Sequence, residues 1–223
     1  MYRETANRQL NNLRFFFGIS MLQINFINKI MIEEEQKSIH QELKTLYADI
    51  HERRKKAVEL TAKLGDTSVS QDYEFTSLDG SKVKLSEMFG ENKNLFVVHN
   101  MGGACSFCTM WADGFNGMYK YLEGRGKSGF VLMADDDIET HRKFKESRGW
   151  TFQSCSARGN DFSKEMGFQN DKGEIEPGLS VLEKTDDGKI RRINQDWFGP
   201  TDMYCSVWRF LELLPHENIK REF

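Results

Sequence analysis

NLFVVHN (94–100), MGGA (101–104) and CSFC (105–108) follow one another without a break, and this stretch decides the fold. A continuous apolar run as short as Asn94 to Asn100, rich in Val and Phe, reads as a strand buried on both faces. Small residues then make a loop, and the two cysteines open a helix expected to reach about Leu122. At a helix start, unpaired backbone N–H groups and the helix dipole stabilise a thiolate on the first sulfur. The second sulfur lies one turn further in, near enough to close a disulfide.

Downstream, GFVLMA (129–134) reads as a second buried strand. Asp136 or Asp137 then caps a helix ending near Gly149. Trp150 to Cys155 reads as a short strand, and Phe162 to Met166 as a short helix stopped by Gly167. Pro177 introduces a strand over Gly178 to Leu182, and Asp186-Asp187-Gly188 turns it into a partner over Lys189 to Gln195. A closing amphipathic helix is expected from Thr201 to Leu214, ended by Pro215. Upstream, Tyr73 to Ser77 and Val83 to Leu85 form a hairpin around Leu78-Asp79-Gly80, and Ser86 caps a helical turn through Phe89. The order is hairpin, β, α, β, α, then proline, β-hairpin, α. It predicts an α/β domain over 72–215, with a mixed central sheet flanked by helices and a parallel central pair. This is the order of a thioredoxin-like fold with an N-terminal β-hairpin extension of the peroxiredoxin kind.

Residues 32–65 read as one long leader helix. Glu33 to Glu35 open it, Arg53 to Lys56 lie further on, and Gly65 ends it, as the helix dipole and a left-handed cap favour. Ile39, Leu43, Leu46 and Ile50 fall at a and d spacing, and Ala57, Leu60 and Leu64 resume it after Arg53. So narrow a stripe fits packing within the chain, the preferred reading given the charged Arg53, or pairing with the same helix of a second copy. Residues 1–31 form a poorly defined extension. Arg3, Arg8 and Arg14 precede an uncharged run from Phe15 to Asn28, but Gln23, Asn25 and Asn28 interrupt it and no small-x-small cleavage site follows. The run is too short and polar to span a bilayer, and Met21 or Met31 would serve equally as a start.

The 223 residues carry 39% hydrophobic and 29% charged side chains and a net charge of −3, with no basic field for nucleic acid or anionic membrane. Four cysteines are too few for a disulfide scaffold, and without a convincing secretion signal the C-x-x-C points to redox chemistry in the cytoplasm. A zinc half-site is the rival, but no second ligand pair is nearby, so His99, His141, Cys155 and Cys205 would have to converge by folding. No metal is expected, and no cofactor, since neither a dinucleotide fingerprint nor a P-loop is present.

The segment CSFCTMWADGFN (105–116) resembles the signature of a mostly bacterial, thioredoxin-like family of unestablished role, roughly C-P-x-C-S-x-W-A-D-G-F. Leu85 to Gly90, Gly149 to Phe152, Gly159 to Phe162 and Pro177 to Val181 match in order. The resemblance covers roughly Tyr73 to Pro215, and the leader helix is similar too. Two departures bear on redox potential and partner surface: Ser106 stands where the family has proline, and the loop before the cysteines is short.

On this reading Cys105 attacks a substrate disulfide and Cys108 resolves the mixed disulfide. His99 lies at the offset where thioredoxins carry a buried carboxylate that moves a proton for the inner cysteine. A neutral histidine serves there, or is simply hydrogen-bonded in the core. The resemblance implies a cis Glu176–Pro177 bond beside Cys105, where the backbone would pair with an extended substrate. Trp111 is expected to pack, with an active-site platform as the other reading. Cys155 and Cys205 read as buried hydrophobes and Asp135 to Asp137 as a turn and cap. The helix is expected to kink or end near Gly114 and Gly117.

The function expected is a thiol–disulfide oxidoreductase acting on a disulfide-containing protein or a small thiol substrate. The alternatives are a peroxiredoxin-like thiol peroxidase, disfavoured by Gly102-Gly103-Ala104 where a Thr or Ser would stand, and a redox-inactive binding module on the same fold.

Overall fold

The computed structural model describes residues 20–65 and 67–215. The chain divides into two compact units, one up to Val58 and one from Glu59 onward. Helix α1 spans Met21–Gly65. It begins well before Ile32, so 21–31 is helical and not part of an undefined extension. Ser20 explains the start: its Oγ accepts the Gln23 N–H at 3.4 Å while its own N–H donates to Gln23 Oε1 at 2.9 Å, a reciprocal cap. The expectations for Arg3, Arg8, Arg14 and Phe15 fall outside the described residues. No helix among the described residues is long and apolar enough to cross a membrane.

The second unit is built on one sheet of eight strands: β1 (Thr67–Ser68), β2 (Glu74–Ser77), β3 (Lys82–Lys84), β4 (Asn94–Asn100), β5 (Ser128–Ala134), β6 (Gln153–Ser156), β7 (Gly178–Lys184) and β8 (Ile190–Trp197). Their order is β1-β8-β7-β4-β5-β6-β2-β3. β4, β5 and β6 run parallel, as helical crossovers require, and β7 and β8 return antiparallel. The β2–β3 hairpin extends the sheet beside β6. The helices are α2 (Leu85–Met88), α3 (Ser106–Gly126), α4 (Ile138–Arg148), α5 (Phe162–Glu165) and α6 (Ser206–Glu212).

Every residue of β5 is buried, so its period-two alternation serves two cores. Val131 and Met133 join Phe75, Val97, Phe162 and Phe168 on one face. Phe130 and Leu132 join Val98, Trp111, Phe115 and Phe152 on the other, beneath α3. Burying side chains of this size is worth ~1.5–3 kcal/mol each, so the two aromatic layers hold β4 and β5 from both sides.

Three local expectations are corrected. α3 runs through Gly114 and Gly117 to Gly126 without a break; both glycines face open space, so nothing pushes the helix aside. The last helix is shorter than Thr201 to Leu214. Thr201 takes a left-handed φ of 69°, and the Asp202 carboxylate accepts the N–H groups of Gly199, Tyr204 and Cys205, which holds the chain in a loop until Ser206. Ser86 caps nothing: its N–H and hydroxyl donate to Asp72, and Glu87 reaches back to the Lys84 N–H instead.

Candidate active site

Cys105 is the N-cap residue of α3 and is half-buried. Its Sγ accepts the Cys108 backbone N–H at 3.2 Å, and its carbonyl accepts the Thr109 N–H at 3.1 Å. The Cys105 sulfur thus holds one of the orphan donors of the helix start. Cys108 lies one turn in, 1% exposed. Burial and then the hydrogen bond with Cys105 push its thiol well above the ordinary value, and the charge of Asp136 adds to this. A half-buried sulfur at the cap is thus backed, one turn further in, by a buried thiol that favours its protonated form.

The loop before them is tied at both ends. Asn100 Oδ1 accepts the Gly102 N–H at 2.8 Å, and the Cys105 N–H donates to Gly102 O at 3.2 Å. Asp136 Oδ2 accepts the Gly103 N–H at 2.8 Å. Gly102 adopts φ 101°, and a Cβ there would stand 2.5 Å from Asp136 Oδ1. Glycine is therefore required on grounds of both conformation and space. Asn100 and Asp136 are site residues that the sequence reading missed.

His99 does not join them. In β4 it points to the face of Val97, opposite to Val98 and the cysteines. There its ring stacks on Phe168 at 4.2 Å, with Nδ1 3.1 Å from Ser163 Oγ and Nε2 2.9 Å from Ser180 Oγ. Burial, and then the positive charge of Arg192, hold its pKa near about 3, so it stays neutral. The proton-moving role expected of His99 has no geometry here; it is a satisfied core histidine. Trp111 is likewise no platform. It is 2% exposed and packs on Phe198 at 5.3 Å between ring centroids.

Pro177 stands where expected in the sheet, just before Gly178, whose backbone pairs with His99 at the end of β4. The described residues contain no cis peptide bond, so Glu176–Pro177 is trans. An X–Pro amide prefers trans by ~0.5–1 kcal/mol, and both flanks are already engaged. The Glu176 N–H donates to Phe168 O and the Phe198 N–H to Pro177 O, each at 3.0 Å.

The rest of the signature is a joint. Asp113 accepts from the Arg148 guanidinium and from Trp150 Nε1, the latter at 2.8 Å. Asn116 Oδ1 accepts the Thr151 N–H at 2.7 Å and its Nδ2 donates to Gly149 O at 3.1 Å. The WADGFN and GWTF segments are thus two halves of one hydrogen-bonded contact that fixes α3 against the turn after α4. Beside Ser106, a groove of about 650 Å³ runs along α3, lined by Met110, Met118, Met203 and Tyr204.

Cys155 is buried on the face away from the cysteine pair, and Cys205 precedes α6. All four cysteines are free thiols, and no group of three or more His, Cys, Asp or Glu is placed to hold a metal among the described residues.

Comparison with known proteins bears on the fold and the family. Peroxiredoxin Q, chloroplastic, from Suaeda salsa is 24% identical over 155 residues, 70% of this chain and 71% of that protein. Among solved structures, a peroxiredoxin Q variant from Xylella fastidiosa superposes with a TM-score of 0.54 at 14% identity, covering 66% of this chain and 94% of its own. Peroxidoxin BcpB from Mycobacterium tuberculosis gives 0.51 at 17% identity, covering 60% and 84%. These likenesses establish the thioredoxin-like fold. The model of a bacterial protein of unknown function (DUF899) matches residues 28–217, and the chain belongs to that family.

Proposed function

We propose that the protein is a thiol–disulfide oxidoreductase. The observation that carries this is the pair itself: a half-exposed Cys105 Sγ at a helix cap, bonded to the Cys108 N–H, with the Cys108 thiol buried behind it. The Cys105 thiolate attacks one sulfur of a substrate disulfide; that S–S bond breaks, and the departing thiolate takes a proton from water. Cys108 then loses its proton and attacks the Cys105 sulfur of the mixed disulfide, releasing the second substrate thiol. The substrate gains two electrons and the protein is left with a Cys105–Cys108 disulfide, which a cellular dithiol reduces. A disulfide-containing protein or the disulfide form of a small thiol compound fits as substrate. The methionine-lined groove beside Ser106 suits varied apolar flanks, since methionine repacks easily. Free thiols fit a reducing compartment such as the cytoplasm.

The hairpin and the peroxiredoxin neighbours favour a second reading, a thiol peroxidase. There the Cys105 thiolate would attack a peroxide oxygen, releasing hydroxide or alkoxide and leaving a sulfenic acid. Cys108 would condense with it, losing water, to the same disulfide. A redox titration with alkylation and mass spectrometry reads that disulfide directly. Insulin reduction without peroxide consumption supports the first reading; the reverse supports the second. Cysteines that never pair overturn both.

A further inference from the structure

We propose that α1 pairs with α1 of a second copy of this chain as an antiparallel coiled coil over residues Ile39 to Leu64. The inference does not depend on the cysteine chemistry.

An isolated helix in water gains little from propensity alone; an apolar stripe is stabilised by being covered. Along α1, Ile39, Leu43, Leu46, Ile50 and Leu60 are each about half exposed. In heptad terms Leu43, Ile50, Ala57 and Leu64 are a positions, and Ile39, Leu46, Arg53 and Leu60 are d positions.

Orientation follows from two features. In a parallel pair each d residue meets its own copy, so Arg53 would face Arg53 across the seam, two like charges in the least hydrated position. In an antiparallel pair a faces d. Leu43 then meets Leu60, Ile39 meets Leu64, the small Ala57 meets Leu46, and Arg53 meets Ile50 with no like charge opposite. The same register sets the flanking g positions. These are Glu42, Asp49, Lys56 and Lys63, acidic in the first half and basic in the second. Antiparallel packing places g against g, so Glu42 meets Lys63 and Asp49 meets Lys56, each twice by symmetry. All four contacts are attractive. At the e positions Tyr47 meets Arg54, a ring against a guanidinium. The parallel alternative, pairing g with e, offers one opposite-charge type only, Asp49 with Arg54. An ion pair within the helix, Lys55 with Glu52, uses the outer f and c positions. The Arg53 that spoils a parallel seam thus selects the antiparallel one.

The test uses full-length chain in sedimentation equilibrium, with circular dichroism to confirm retained helix. The wild type is expected to be a dimer at micromolar concentration. Glu42→Lys with Asp49→Lys makes every g position basic, and Lys56→Glu with Lys63→Glu makes every g position acidic. Each double variant alone should dimerise roughly a hundredfold more weakly, because four attractive pairs become repulsive. Mixed together, the two should restore a dimer containing one of each. A monomeric wild type overturns the proposal. So does an all-acidic variant that dimerises like wild type, the outcome a parallel pair gives. Loss of self-association with no rescue on mixing also overturns it.

Discussion

The carboxylate of Asp136 holds the backbone N–H of Gly103 at 2.8 Å, two residues before Cys105. Its negative charge is thus fixed against the loop that carries the cysteines, where it disfavours the thiolate of Cys108. Asp136→Asn keeps an oxygen acceptor and removes the charge. In a Cys105→Ser background, the Cys108 thiol should therefore titrate lower than with Asp136 present, read by thiolate absorbance. An unchanged or raised titration would show that the charge does not reach Cys108.

Gly102 lies against the same carboxylate. Gly102→Ala forces a side chain into a left-handed φ and onto Asp136 Oδ1. Backbone strain of this kind costs about 1–3 kcal/mol. The expected outcome is a lower thermal midpoint together with slower thiol exchange, measured on the same preparation. Gly114→Ala, which meets open space on α3, should change neither by a comparable amount.

How far the site was legible in the sequence depends on strand parity and register. The bounds of β4 were plain, because an apolar run between polar turns has no other home. The same continuity hid which residues face which way, since a run buried on both sides carries no alternation. His99 therefore stood at an expected offset and on the wrong face. Asp135, Asp136 and Asp137 look alike in sequence. Pairing of Asn100 with Ala134 separates them: the Asp135 N–H bonds Asn100 O, Asp136 reaches Gly103, and Asp137 caps α4. No local signal distinguishes three adjacent acids. The start of α1 was legible in Ser20 and Gln23 but masked by the stronger acidic signal at Glu33 to Glu35.

Asp113 ties the signature helix to Trp150, whose indole N–H has this carboxylate as its acceptor. Asp113→Ala leaves that donor without its acceptor beside the second core. Such a loss costs about 1–3 kcal/mol, and the exposed Arg148 pair adds little to it. Chemical denaturation should show the loss, while the disulfide potential of Cys105–Cys108 should move far less, because the bonds of Asp113 go to Arg148 and Trp150 and not to the cysteines. A potential shifted as much as the stability would place Asp113 in the redox machinery.

Two buried histidines set the response to acid. His99 and His141 are held neutral mainly by burial, with pKa values near about 3 and about 4 against an ordinary 6.5. Below pH 6.5 the unfolded chain binds protons that the folded chain refuses, so their contribution to stability is complete above that pH and lost as pH falls toward the folded values. The slope tends to about 1.4 kcal/mol per pH unit for each histidine. Glu165 and Glu183, whose pKa values are lowered from 4.5, contribute only further down, so the window between pH 6.5 and 5 isolates the histidines. Denaturant unfolding across that window should therefore show stability falling with acid. His99→Gln removes one titrating group and should roughly halve the slope even though it also lowers stability at neutral pH. An unaltered slope would mean that His99 is already charged, and that the ring between Phe162 and Phe168 is not the dry site that its contacts describe.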